Sequence, residues 1–306
     1  MIDLVARTKE TIQCWYEAWD GAVYVSFSGG LDSTVLLHLV RSLYPDVPAV
    51  FANTGLEYPE IVQFVAAVPN VVTVRPKRNF KWVLENKGYP VISKRTAKAL
   101  RTLQNPSEKN KKIRGLILTG INSSGNSCQS FKLAQKWRYL VGAPFKISEY
   151  CCDIIKKEPL HRAELEMKGK PFIGITKDEG NSRKLSMQQS GHECNVYDSS
   201  KPVSRPLMHW THQDVLRFIR QHNVPYSSVY GQIVQASDGT LRTTGEQRTG
   251  CMFCMFGVHL EKGMNRFQRM ELSHPKQYKF CMESLGLKEI LKTLKVPYSV
   301  FNEEKP

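Results

Sequence analysis

Two constellations in this sequence have the residue types and spacing to do chemistry. The first lies in VYVSFSGGLDSTVLLHL, residues 23–39, where a β-rich apolar run breaks into Ser28-Gly29-Gly30-Leu31-Asp32-Ser33 and then resumes with helical character. Glycines between a strand and a helix let backbone N–H groups approach an oxyanion, and the helix adds the positive end of its dipole. Ser28 and Ser33 can donate to phosphate oxygens, while Asp32 can cap the helix or bind Mg2+ carried by a nucleotide. The second constellation is the vicinal pair Cys151-Cys152 together with Cys251-x-x-Cys254. Soft thiolates suit iron–sulfur clusters, and four of them complete the ligand set of a 4Fe–4S centre. A zinc site competes, although adjacent cysteines chelate one tetrahedral zinc awkwardly; a vicinal disulfide is a third reading. Lys156, Lys157 and Arg248 are neighbouring cations able to offset a cluster's negative charge. Cys14, Cys128, Cys194 and Cys281 lack ligand spacing and read as core or surface thiols, with a role for one of them as acceptor or carrier of sulfur left open.

These groups need a scaffold, and the first two-thirds of the chain supplies an alternating pattern. Strands are expected at 22–27, 47–52, 71–76, 116–121 and 171–176, with helices at 32–43 and 57–67 between the first three. Apolar strands separated by helices predict an α/β fold, a doubly wound and mostly parallel sheet covered on both faces. Ligands of such sheets collect at the carboxyl ends of the strands. Ser28, Asn53, Arg75, Gly120 and Lys177 fall at those ends and are expected to share one cleft. Beyond residue 195 the pattern changes: a helix capped near Thr211, the segment TGEQRTGCMFCMFG, then amphipathic helices. The expected division is a nucleotide-binding domain over 1–195 and a helical, cysteine-bearing extension over 196–306 packed on it.

The chain carries 43 Lys and Arg against 28 Asp and Glu, a net charge of +15, which favours polyanionic partners. The charge is clustered: residues 94–114 hold eight basic residues and one acid, Glu108. Lys132, Lys136 and Arg138 flank Trp137 and Tyr139, a mixture suited to phosphate contact and base stacking. Nucleic acid is therefore an expected partner, with Lys94, Arg95, Lys98 and Arg101 as contact candidates; a solvated helix and loop on a basic nucleotide enzyme is the plainer reading. Hydrophobic content of 41% is ordinary, no apolar run reaches the length of a bilayer span, and the first residues lack a signal-peptide pattern. A cytoplasmic protein without a membrane partner is expected. Eight cysteines in that setting argue for metal or redox chemistry rather than disulfides.

The loop lacks the lysine of a Walker motif and the spacing of the dinucleotide fingerprint. It does match SGGxDS, and so resembles the PP-loop ATP pyrophosphatases, whose fold is adenine nucleotide alpha hydrolase-like. The resemblance implies that Ser28, Gly29, Gly30, Leu31 and Ser33 bind the pyrophosphate of ATP and that Asp32 organises the loop or its Mg2+. FANTGLEYPE (51–60), GITKDEGNSR (174–183) and RPLMHWTHQDVLRFI (205–219) further resemble the phosphoadenosine phosphosulfate (PAPS) reductase family. Asn53 stands where that family commonly has Asp, and Gly180 where it commonly has Ser. The family likeness implies that Asn53, Thr54 and Glu57 lie near the adenosine. It also implies that Lys177, Glu179 and Arg183 face phosphates or substrate, and that His209 and Trp210 pack the start of a helix. A vicinal pair followed much later by CxxC is the ligand arrangement of the family's iron–sulfur branch, which implies a 4Fe–4S cluster on Cys151, Cys152, Cys251 and Cys254.

Two departures separate the chain from the sulfate reductases. Those enzymes carry a nucleophilic cysteine in a C-terminal ECGLH-type segment, whereas no cysteine follows Cys281 here. They also typically have an altered loop, whereas SGGLDS is intact. The combination resembles the PP-loop component of DNA phosphorothioation systems. It implies an enzyme that forms AMP and pyrophosphate, activates an acceptor (DNA is the expected one) and takes sulfur from a cysteine desulfurase or another donor. The alternatives are an adenylyl-sulfate or PAPS reductase with a non-standard thiol such as Cys281, a tRNA thiolase, and a non-catalytic iron–sulfur sensor of nucleic acid.

Overall fold

The computed structural model describes residues 2–178 and 194–301. In chain order the elements are α1 (Ile2–Ala18), β1 (Val23–Ser26), α2 (Leu31–Arg41), β2 (Ala49–Ala52), α3 (Pro59–Ala67), β3 (Val71–Val74), α4 (Phe80–Asn86), β4 (Val91–Ile92), α5 (Lys94–Gln104), α6 (Lys111–Thr119), α7 (Glu158–Met167) and β5 (Lys170–Ile173). They continue with β6 (Asn195–Val196), β7 (Val203–Ser204), α8 (His212–His222), β8 (Ile233–Gln235), β9 (Leu241–Thr243), β10 (Met255–Phe256), α9 (Arg266–Ser273), α10 (Pro275–Lys279) and α11 (Leu287–Thr293). Two compact units result, each made of two chain segments: 1–76 with 157–250, and 77–156 with 251–306. The expected boundary at 195/196 falls inside the first unit.

The first unit is the α/β sheet that the strand–helix alternation predicted. Its strand order is β3-β2-β1-β5-β7-β6, parallel throughout except for the antiparallel pairing of β6 with β7 at one edge. All four residues of β2 and the first three of β1 are buried, as expected of parallel strands covered on both faces. Alternation along the strands divides the core. Tyr24 and Val50 pack with Ala163, Leu160 and Met167 of α7 on one face, and their neighbours Val25 and Phe51 are buried on the other. Helix α2 packs against β1, β5 and α8 through a continuous apolar stripe that includes Val35, Leu36, Leu39 and Val40. The start of α8 is a capping box in which Thr211 Oγ1 accepts from the Asp214 N–H and Asp214 accepts from the Thr211 N–H.

The second unit is mostly helical. Its parallel pair is β4 with β10, registering Val91 with Met255 and Ile92 with Phe256. One expected strand is corrected here: residues 116–121 do not form a strand, because 111–119 are the helix α6, and Gly120 follows it in the left-handed region at φ +76°. The run KKIRGLILT places Ile113, Leu116 and Ile117 at helical spacing, and Ile117 alone of its residues is buried while Leu118 is exposed. Ser107 and Asn110 form a capping box on the preceding turn. Gly120 consequently leaves the set of residues expected at the carboxyl edge of the sheet. No helix among the described residues is long and apolar enough to cross a membrane.

Phe172 sits fully buried at the centre of the sheet. Phe172→Ala is expected to lower the stability of the first unit by about 3–5 kcal/mol, measured as a reduced urea midpoint with an unchanged slope.

Candidate functional site

Three of the expected groups come together in the first unit, at the carboxyl ends of the neighbouring strands β2, β1 and β5. The turn after β1 is held by its own serines: Ser28 Oγ lies 3.0 Å from Ser33 Oγ, and the Ser28 N–H donates to Ser33 Oγ at 3.2 Å. Ser33 and Thr34 hydroxyls both donate to the Gly30 carbonyl. Gly29 adopts φ +71°, and a Cβ there would stand 2.8 Å from Ile61 of α3, so conformation and space both require glycine. Gly30 is the N-cap of α2 and presents no side chain to the helix end. The chain beyond β5 presses onto the same turn: a Cβ on Gly174 would lie 3.1 Å from the Ser33 nitrogen. Glycine at 174 lets that strand end lie against the first turn of α2.

Two residues of this site escaped sequence reasoning. Tyr230 and Thr249 hydroxyls hydrogen-bond at 2.6 Å, and the Leu31 N–H donates to the Tyr230 oxygen. Burial pushes the Tyr230 phenol up to about 12, so it stays protonated beside Asp32 at neutral pH. Neither has a local motif, and both arrive at the loop through chain folding alone. Thr249 belongs to the glycine-rich run TGEQRTG, which was the available signal.

At the end of β2, Thr54 donates its backbone N–H and its hydroxyl to the two carboxylate oxygens of Glu57, each at 2.8 Å. Asn53 Oδ1 accepts from the Gly55 N–H. This closed loop shapes the edge of the site, with Glu57 engaged by its own backbone. After β5, the Lys177 N–H donates to the Trp210 carbonyl, leaving its side chain exposed, and Asp178 accepts from the His212 N–H at 2.7 Å. Burial lowers the His212 pKa, and the nearby Arg248 lowers it further. Trp210 is fully buried and donates from Nε1 to Thr8 at 2.8 Å, while His209 Nε2 contacts Arg7. Glu179 and Arg183 lie outside the described residues.

The second unit gathers the other constellation. Cys151 is buried, with Cys152, Cys251 and Cys254 half-buried. The Cys151 and Cys152 thiols share a hydrogen bond, and Cys151 also senses Cys251 and Cys254, which together with burial pushes it up. The same hydrogen bond, with the cations Lys94 and Lys156, holds Cys152 down at about 6. Burial raises Cys254 against the pull of Arg266, whose Nη1 donates to the Cys254 carbonyl at 3.0 Å. Arg266 is itself anchored on Glu261 at 2.6 Å. The β4–β10 pairing brings these groups together. Ile92 ends β4 at φ +64°, a costly conformation for a β-branched residue, and turns the chain so that α5 begins with Lys94 at Cys152. No three His, Cys, Asp or Glu among the described residues are drawn into metal-ligating geometry. The donor set nonetheless fits a metal–sulfur group of net negative charge: four mutually coupled thiols, one already in thiolate range, with two lysines and an arginine around them.

The remaining candidates separate. Lys94 is engaged with the thiols, Arg95 lies 5.5 Å over the Phe131 ring, and Lys98 is exposed on α5. Arg101 forms a two-pronged pair with Glu149 at 2.9 and 2.7 Å. Cys281 is fully buried, donates to the Tyr278 carbonyl, and is pushed by burial up to about 12.

The chain is similar to several known proteins. The family described as the phosphoadenosine phosphosulfate reductase domain matches residues 22–121 and 122–255. A phosphoadenosine 5'-phosphosulfate reductase of Salmonella newport is 23% identical over 265 residues, covering 84% of this chain and 86% of its own. Among solved structures, a PAPS reductase from Candida auris in a phosphate complex aligns with TM-score 0.43 and 16% identity, covering 76% of this chain and 89% of its own. The U34-tRNA thiolase NcsA from Methanococcus maripaludis, solved with its [4Fe-4S] cluster, aligns with TM-score 0.39 and 13% identity over 100% of this chain and 85% of its own.

The thiol environments differ enough to test. At pH 8 a thiol with a pKa near 12 holds almost no thiolate, so Cys281 is expected to resist iodoacetamide in the folded protein while exposed Cys14 is alkylated. Peptide mapping by mass spectrometry reads both sites, and in urea Cys281 should become reactive.

Proposed function

We propose, from the premise that this chain belongs to the phosphoadenosine phosphosulfate reductase domain family, that it cleaves ATP to AMP and pyrophosphate and so activates an acceptor for sulfur insertion. DNA is the acceptor we assign, as in phosphorothioation. The observation that carries the reading is the complete Ser28–Ser33 turn, with its glycine-dependent backbone and paired serine hydroxyls at the start of α2.

In this reading the turn holds the β,γ-pyrophosphate, with Gly29 and Gly30 allowing the backbone to approach it and Ser28, Leu31 and Ser33 lining the cradle. Asp32, in the first turn of α2, is the carboxylate that would hold Mg2+ carried by the nucleotide. Asn53, Thr54 and Glu57 border the adenosine, and Lys177 faces the phosphates or the acceptor. A non-bridging oxygen of the acceptor phosphate attacks the α-phosphorus; the new P–O bond forms as the bond to pyrophosphate breaks, and pyrophosphate leaves with the electron pair. Hydrosulfide, released by a thiol from the persulfide of a donor such as a cysteine desulfurase with formation of a disulfide, then attacks the activated phosphorus, and AMP departs with the former oxygen. The physical need for ATP is plain: a phosphate oxygen is a poor leaving group until it is adenylylated. Cys151, Cys152, Cys251 and Cys254 would hold a 4Fe–4S centre, which when bound supplies electrons or a soft site for sulfide. The lysines and arginine around them offset its negative charge.

Sulfate reduction is the second reading, favoured by the family itself. It requires an accessible nucleophilic thiol, and Cys281 is buried with its S–H donating to the Tyr278 carbonyl.

Two measurements test the proposal. Purified protein is expected to release AMP and pyrophosphate from ATP, with Asp32→Ala slowing turnover by about a hundredfold, the scale of losing a preorganised charge. Release of ADP would refute the loop assignment. Protein purified without oxygen is expected to be brown with iron and sulfide in equal amounts, and Cys251→Ser should lose the colour. A colourless preparation with stoichiometric zinc would sink the cluster.

A further inference from the structure

The cations of this chain are not spread evenly. Residues 94–148 contain twelve Lys and Arg against Glu108 alone, so this stretch of the second unit carries most of the net charge of +15. Among the described residues few of these charges are spent on acids. Arg101 is taken by Glu149 and Lys111 lies 3.6 Å from Glu108. Two others sit on aromatic rings instead: Arg95 on Phe131 at 5.5 Å and Lys136 on Trp137 at 5.1 Å.

Those rings are themselves unusual for a charged surface. Phe131 is 54% exposed and Tyr139 47% exposed, with Leu118 and Ile121 also uncovered nearby in sequence. Two aromatic side chains of this stretch, Trp137 and Tyr139, are held in place rather than loose. Tyr139 donates its hydroxyl to the Thr293 carbonyl at 3.1 Å, Trp137 packs edge-on against His259, and Arg138 ties the segment to α6 through the Leu118 carbonyl at 2.8 Å. Fixed rings lose little conformational freedom when something stacks on them. The face is also continuous with the thiols: Lys94 reaches Cys152, and the next residue, Arg95, reaches Phe131.

We propose that this face, made of α5, α6 and residues 129–139, binds a single strand of DNA, with Phe131 and Tyr139 stacking on bases and Lys132, Lys136 and Lys98 meeting phosphates. The proposal rests on the reading of DNA as acceptor and adds that the strand is unpaired where it binds. A cationic face alone attracts any polyanion, and a duplex hides its base faces. Exposed rings interleaved with cations are matched by a strand whose bases are splayed, since each base offers a π-face and each linkage a charge. An acidic polypeptide would satisfy the cations and leave the rings uncovered.

The test is fluorescence anisotropy of the full chain without ATP, so it reports on this face separately from ATP cleavage. Probes are a single-stranded DNA of about 12 nucleotides, within the usual site size, the same sequence as RNA and as duplex DNA, and heparin as a polyanion without bases. The DNA strand is expected to bind tightest. Phe131→Ala should weaken it by about 5- to 100-fold, the effect of one lost base stack, while Phe131→Trp keeps the affinity. Lys132→Ala, at an exposed position, should reduce the slope of log K against log salt by about 0.7, one phosphate contact on a single strand. Equal or tighter binding of duplex, RNA or heparin overturns the proposal, as does an affinity indifferent to Phe131→Ala.

Discussion

The reversal from β1 into α2 is the constraint on which the first unit depends, because it brings three chain segments closer than side chains allow. Gly29 bears a left-handed backbone with Ile61 of α3 directly above it, and Gly174 lets the end of β5 touch the first turn of α2. With any larger residue at those two positions, either α3 or β5 would have to withdraw. The serine hydroxyls then do inside the turn what a peptide ladder does elsewhere, satisfying backbone groups that the tight geometry leaves outside the sheet. The close approach is what leaves the first turn of α2 edged by the ends of β2 and β5.

A different constraint organises the second unit. Four thiols placed together raise one another's cost of ionisation, and the chain answers with cations. Lys94 and Lys156 support the Cys152 thiolate, and Arg266, braced by Glu261, lies against the Cys254 backbone. Holding Lys94 there requires the left-handed turn at Ile92, which a β-branched residue adopts only where surrounding structure compels it. Cys281 shows the opposite solution. An isolated thiol in an apolar surrounding keeps its proton and donates a hydrogen bond to a carbonyl, so it behaves as packing rather than as a reagent.

Much of the scaffold was legible from local pattern. The strands at 23–26, 49–52, 71–74 and 170–173 follow from short, largely apolar runs, and the start of α8 follows from Thr211 and Asp214. The segment 116–121 misled because LILTGI is apolar enough for either structure. Its helical register shows only when the preceding KKIR and the capping Ser107 and Asn110 are counted with it. Arg101 likewise looked like a free cation on a basic helix, because Glu149, its partner, lies 48 residues along the chain.

What the sequence by itself determined is therefore what is local: the glycine–serine turn, the cysteine spacing, the alternation of strand and helix, and the bias of charge toward 94–148. Tertiary structure alone decided which residues meet. It delivered Tyr230 and Thr249 to the turn, set Gly174 against Ser33, placed Lys94 at the thiols and Arg95 on Phe131, and buried Cys281. The reason is physical: turns, caps and periodicity are read within a few residues, whereas burial, charge pairing and steric exclusion depend on the chain's return from a distance that no local pattern encodes.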